Sequence, residues 1–121
     1  MTTRVVIADD LDDLRWLLRN QLELGGDCIV VGEAANGAQA VEAVEATRPD
    51  VVVLDLQMPK MTGLDAAINV HKLAPETRIV LYSAISEVAV AAAGRIEGVE
   101  YVKKGATPSA IVDAVVRVAH C

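Results

Sequence analysis

The chain has 121 residues, 53% of them apolar, and a formal net charge of −6. That length suits one compact domain with a real core and is too short for two. No apolar run approaches the ~20 residues of a membrane span, no small-residue cleavage site follows an apolar run near the start, and an acidic domain lacks the electrostatic footprint of a nucleic-acid binder. Cys28 and Cys121 do not make a disulfide framework. Cys28, in the run Cys28-Ile29-Val30-Val31, reads as a packed small hydrophobe, and a reducing cytoplasm is the expected setting. His71 and His120 have no partner at metal-ligating spacing and read as surface histidines.

The first strand is expected over 4–8, Arg4-Val5-Val6-Ile7-Ala8, and it ends on Asp9-Asp10. Leu14, Leu17, Leu18 and Leu22 then recur at helical spacing. Trp16 falls about 200° around that helix from Leu14 and Leu18, off the core stripe. A second strand over 28–34 leads to a helix carrying Ala40, Val41 and Val44, which Arg48-Pro49 ends. The third strand, 50–54, runs straight into Asp55 and then a Pro/Gly turn, Pro59 to Gly63. The helix after it ends at Ala74-Pro75. A fourth strand over 78–82 meets Ser83, and Ala89 through Ala93 suggest an Ala-rich fourth helix. The fifth strand, 99–103, meets Lys104. Thr107-Pro108 opens a fifth helix as N-cap and first helical residue, with Ile111, Ala114, Val115 and Val118 along one face.

The strand runs are rich in Val and Ile and nearly continuous in apolar character, as strands covered on both faces are. Strict alternation with amphipathic helices predicts a parallel sheet joined by right-handed crossovers. Five strands suit a three-layer, flavodoxin-like (βα)5 fold of order 2-1-3-4-5, one domain over residues 1–121. Strands one and three are then neighbours, and the crevice at their carboxyl ends is where open α/β sheets place their sites.

In that order Asp9, Asp10 and Asp55 converge, with Ser83 and Lys104 at the ends of the next two strands. Carboxylates so placed repel unless a cation lies between them. Hard oxygen ligands with room for waters suit Mg²⁺. A carboxylate beside Mg²⁺ and a lysine is a plausible nucleophile toward a phosphoryl group, and a hydroxyl could bond that group once attached. Taken singly, each residue has a plainer reading. The Asp pair could be a helix cap, Asp55 a turn residue, Lys104 a solvated lysine, Ser83 a cap and Tyr101 a half-buried strand residue. Their convergence from separate strand ends favours a site.

These residues carry a resemblance. Asp9-Asp10, Asp55 in the pattern Asp-x-x-Met-Pro-x-Met-x-Gly, Ser83-Ala84 and Tyr101-x-x-Lys104 stand in order at family-like spacing. The chain resembles the response-regulator receiver domains of bacterial two-component signalling over essentially its whole length. The resemblance implies that Asp55 is the phospho-accepting aspartate, Asp10 the direct Mg²⁺ ligand and Asp9 a ligand mainly through water. It implies a further metal contact from the backbone carbonyl of Gln57. Lys104, rather than Lys103, matches the family lysine, Ser83 the switch hydroxyl and Tyr101 the switch aromatic. Lys104-Gly105-Ala106-Thr107 looks most like receivers that precede a helix-turn-helix DNA-binding domain. The implied donor is a histidine kinase or phosphotransfer protein, and Trp16 with Leu14 lies on the helix where the family meets it. Output would use the fourth helix, fifth strand and fifth helix, through homodimerisation or release of an effector. No direct contact with nucleic acid or membrane is expected of this domain.

The family usually carries Gly-Ala-x-x-Tyr before its lysine, whereas here Glu97-Gly98-Val99-Glu100-Tyr101 sets Gly98 one place late. Gln57 and Ile85, two residues beyond Asp55 and Ser83, should border the path of an attacking water, and Ile85 should slow loss of the phosphoryl group. Three other classes compete. An Asp-nucleophile phosphohydrolase would carry Asp-x-Asp, but position 57 is Gln, so turnover is not expected. A flavodoxin needs Ser, Thr and Gly after its first strand, where Asp9-Asp10-Leu11-Asp12-Asp13 would repel a phosphate. The alternative reading is a receiver-like interaction module that acts without phosphorylation, and the complete residue set argues against it.

Overall fold

Five strands form one parallel sheet of order β2-β1-β3-β4-β5. The structure is a computed structural model that describes residues 2–56, 58, 60–83, 99–103 and 108–119. The elements are β1 (Thr3–Ala8), α1 (Asp12–Leu24), β2 (Cys28–Ala34), α2 (Gly37–Thr47), β3 (Val51–Asp55), α3 (Gly63–Leu73), β4 (Arg78–Ser83), β5 (Val99–Lys103) and α4 (Pro108–Ala119). The last of these is the fifth helix of the sequence reading. The Ala-rich helix expected between the fourth and fifth strands, with Ile85 and Gly98, lies outside the described residues.

Side-chain alternation sorts the strands into two apolar layers. Val5, Ile7, Val51, Val53, Val80 and Tyr82 pack with Leu18 and Leu22 of α1 and with Ile111, Ala114, Val115 and Val118 of α4. Val6, Ala8, Val52, Leu54, Ile79 and Leu81 pack on the other face with Ala40 and Val44 of α2 and Ala66, Ala67 and Val70 of α3. The inner strands β1, β3 and β4 are thus covered on both faces, which is why their sequences are nearly continuous in apolar residues, whereas the edge strand β2 leaves Ile29 and Glu33 exposed. Cys28 is buried in the first of these layers, as expected of a small hydrophobe. Trp16 stands off the stripe at 66% exposure.

Local chemistry sets the helix ends. The Asn36 side chain accepts from Gln39 N (2.9 Å), and Gln39 in return accepts from Ala35 N (2.9 Å). Thr62 caps α3 by accepting from Asp65 N (3.2 Å). Arg48 and Ala74, each ahead of a proline, are the C-caps of α2 and α3. The Arg19 guanidinium meets Glu33 at 2.8 Å, tying α1 to the edge strand β2. Among the described residues, no helix is long and apolar enough to cross a membrane.

Candidate functional site

The alternation that builds the core also aims the site. Asp9 continues the Val5, Ile7 series and Asp55 the Val51, Val53 series, so both carboxylates fall on the α1/α4 side of the sheet. Asp9 is still held in the ladder, its N–H donating to Ala34 O at 3.0 Å. Both Asp9 and Asp55 are 0% exposed, while Asp10 faces solvent. Carboxylate oxygens of Asp9, Asp10 and Asp55 lie within 4.8 Å of one another. The Asp pair does not cap α1 through its own side chains in the usual way. The N-cap is Leu11, with no side-chain cap bond, and Asp9 Oδ1 accepts from Leu11 N at 2.8 Å instead. Arg15 closes this turn by donating from Nη1 to the Asp9 carbonyl (2.7 Å) and pairing with Asp12 (2.5 Å).

The chain leaving Asp55 is held tightly. Leu56 N donates to Tyr82 O at 3.0 Å, and Gly63 N donates to Leu56 O at 3.1 Å. A Cβ on Gly63 would lie 2.2 Å from Asp55 O and 2.7 Å from Leu56 Cα, so only glycine fits against that backbone. A Cβ on Gly37 would lie 2.4 Å from Met61 O, which brings the start of α2 hard against the same loop. Lys60 takes the left-handed conformation, φ 68°, to turn the chain between Met58, which is buried, and α3.

Tyr82 is part of the site, although the sequence reading did not single it out. It is 1% exposed, sits directly opposite Asp55 in the β3–β4 register, and donates its hydroxyl to Asp9 Oδ2. Burial, then the hydrogen bond to Asp9 and the charges of Asp9, Asp55 and Asp10, push its phenol far above its ordinary value, so it stays a neutral donor. In sequence it is one more large residue of an apolar strand, and nothing local marks it. Arg15 was missed for a similar reason. Its spacing from Asp12 is visible, but its contact with the Asp9 carbonyl is not.

The remaining expected residues are placed as follows. Ser83 ends β4 with its backbone opposite Lys103 of β5. Tyr101 lies opposite Leu81 and packs, half-buried, against the α2/α3 layer. Leu14 packs at the edge of the α1/α4 layer, close in sequence to Trp16 and the exposed Leu11. Gln57 and Lys104 lie outside the described residues.

At 4.8 Å and an effective dielectric of about 20, two unit charges such as those of the buried Asp9 and Asp55 repel by about 3.5 kcal/mol. A divalent cation removes that cost. The donor set is all hard carboxylate oxygen, which fits Mg²⁺ and does not fit a soft thiophilic metal.

Residues 5–116 match the family model described as response regulator receiver domain. The chain is 35% identical over 119 residues to the chemotaxis protein CheY of Thermotoga maritima, covering 98% of each. It is 39% identical over 113 residues to the probable transcriptional regulatory protein NarL of Mycobacterium tuberculosis, covering 93% of this chain and 52% of that one. The solved receiver domain of that regulator superposes with a TM-score of 0.88 at 37% identity, covering 98% of this chain and 97% of the other. The CheX–CheY–BeF3–Mg²⁺ complex from Borrelia burgdorferi matches with a TM-score of 0.84 at 26% identity, covering 96% and 88%. The chain therefore spans nearly all of one relative and about half of another. It belongs to the response regulator receiver family, the phosphorylation-dependent switches of two-component signalling.

Proposed function

We propose that Asp55 is the phosphoryl acceptor of this receiver and that residues 1–121 act as one receiver unit. The observation that carries this reading is the meeting of Asp9, Asp10 and Asp55 within 4.8 Å at the carboxyl ends of β1 and β3. An Asp55 carboxylate oxygen attacks phosphorus as the phosphorus–nitrogen bond of a donor phosphohistidine breaks, the electron pair leaving with the imidazole. Asp10 and Asp55 would hold Mg²⁺ directly with the backbone carbonyl of Gln57, and Asp9 through water. Bound there, the cation would offset charge on the phosphoryl oxygens. The Borrelia complex, in which a CheY carries BeF3 and Mg²⁺, supports this assignment by likeness. Asp55 is buried, and the close approach of Gly63 to its carbonyl holds the backbone that carries it.

Phosphorylation adds about −1.5 to −2 charges and strong acceptor oxygens. Lys104 and Ser83 are proposed to meet them, and Tyr101 to turn behind Ser83. The affected face includes the edge strand β5 and α4, which the Arg117–Glu100 ion pair (2.5 Å) joins. Its output is a protein contact, either a homodimer or an effector that it holds or releases, in the cytoplasm. The likeness to NarL favours control of transcription through a DNA-binding region. Trp16 and Leu14 on α1 are proposed to meet the histidine kinase or phosphotransfer donor.

Intact mass after incubation with acetyl phosphate tests the chemistry. One phosphoryl adduct is expected with Mg²⁺, none with EDTA and none in Asp55→Asn. An adduct that persists in Asp55→Asn would overturn the assignment. No adduct in the folded wild type would leave a receiver-shaped interaction module.

A further inference from the structure

We infer that Tyr82 is a positioning residue for the acidic site, its hydroxyl fixing the Asp9 carboxylate in the orientation that serves a bound cation. This rests on the metal reading above and adds a residue to it. Among the described residues Asp9 has two protein donors, one on each oxygen: Leu11 N–H on Oδ1 and Tyr82 O–H on Oδ2. The first is local and comes from two residues along the chain. The second comes from 73 positions away, on a strand separated from β1 by β3. The phenol therefore crosses the end of β3 at the level of Asp55, its partner in register. It fixes the Asp9 carboxylate against the sheet, where the Leu11 N–H bond fixes it only against the adjoining turn.

The arrangement suits a cation site and not merely a packed core. Asp9 is 0% and Tyr82 1% exposed, so bulk water does not replace the bond if it is lost. Each carboxylate oxygen can accept about twice. Occupation of one site on each leaves Asp9 free to accept from a metal-bound water, the role proposed for it. A tyrosine hydroxyl is an uncharged donor at neutral pH. It thus orders the cluster without adding a fourth negative charge. Partners that orient a ligand from behind typically change metal affinity by about 10- to 100-fold.

The test is Mg²⁺ binding to the whole chain by titration calorimetry, wild type beside Tyr82→Phe, with far-UV circular dichroism to check the fold. Phe keeps the ring and removes only the hydroxyl. The dissociation constant should rise about tenfold or more. An unchanged constant in a folded variant would overturn the role of Tyr82 while leaving the metal reading intact. Wild type that binds no Mg²⁺ would overturn both. A second readout keeps the Tyr82 hydroxyl in place and so does not depend on the Tyr82→Phe variant folding. Tyr82 and Tyr101 are the two tyrosines of the chain, so Tyr101→Phe leaves Tyr82 as the sole reporter of tyrosine ultraviolet absorption. Mg²⁺ should shift that absorption, and Mg²⁺ binding that leaves it unmoved would refute the inference.

Discussion

Replacing Asp55 by Asn should make the metal-free protein more stable while removing its response to Mg²⁺. Asp9 and Asp55 are both fully buried, and their oxygens lie within 4.8 Å. Their repulsion is about 3.5 kcal/mol at an effective dielectric of about 20. Asn keeps the shape of the side chain and removes one of the charges. Asp55 has further interactions whose loss offsets part of the gain, so the net stabilisation expected is about 1–3 kcal/mol. In wild type, Mg²⁺ at about 100 times its dissociation constant adds about 2.7 kcal/mol to the unfolding free energy. Asp55→Asn should lose most of that gain, so the two proteins converge or change order when Mg²⁺ replaces EDTA. The assay is urea unfolding followed by far-UV circular dichroism in both conditions at constant ionic strength. A variant no more stable than wild type in EDTA would refute the repulsion argument. A variant that gains as much from Mg²⁺ as wild type would place the cation elsewhere.

Other perturbations read separate parts of the structure. Gly63→Ala drives a methyl into the Asp55 carbonyl, with a separation of 2.2 Å before relaxation. It should cost about 2–3 kcal/mol in urea unfolding and slow labelling by acetyl phosphate. A neutral result would refute the close packing of Gly63 on the Asp55 carbonyl. Tyr82 should make the protein alkali-sensitive. Its folded pKa is raised, so below the unfolded value near about 10 the phenol is protonated in both states and stability does not depend on it. Above that pH only the unfolded state releases the proton, so stability falls as pH rises. Urea midpoints at alkaline pH should fall less steeply in Tyr82→Phe, and equal slopes would count against the buried phenol. Trp16→Ala should leave stability within about 0.5 kcal/mol, because the ring is 66% exposed. Labelling by acetyl phosphate should be unchanged and transfer from the cognate donor slowed; equal transfer rates would remove Trp16 from the docking surface.

Most of the fold was legible in the chain because the strands carry their burial in their composition. Val51-Val52-Val53-Leu54, rich in β-branched residues and bounded by Pro49 and a Pro/Gly turn, reads as a doubly covered strand, and the expected range of 50–54 differs from Val51–Asp55 by one residue at each end. The difference at the carboxyl end arises because Asp55 is itself in the ladder, opposite Tyr82, where a carboxylate reads in sequence as the start of a turn. Proline and cap chemistry placed the ends of α2 and α3, since those signals act within a few residues. The convergence of Asp9, Asp10 and Asp55 also followed, because strand order and alternation place those positions without knowledge of any side-chain contact.

The sequence by itself determined the alternating βα pattern and the carboxylates at the strand ends, which rest on periodicity and local residue chemistry, and the strand order was expected from the usual order of five-stranded open α/β sheets. Only the tertiary structure decided which donors face those carboxylates. Tyr82 reaches Asp9 across an intervening strand, Arg15 holds the Asp9 carbonyl, and Gly37 presses on Met61. The first and last of these depend on the distance between atoms far apart in the chain, and the Arg15 contact on how the start of α1 sits against the end of β1. Packing fixes such distances, and no local pattern of residues encodes them.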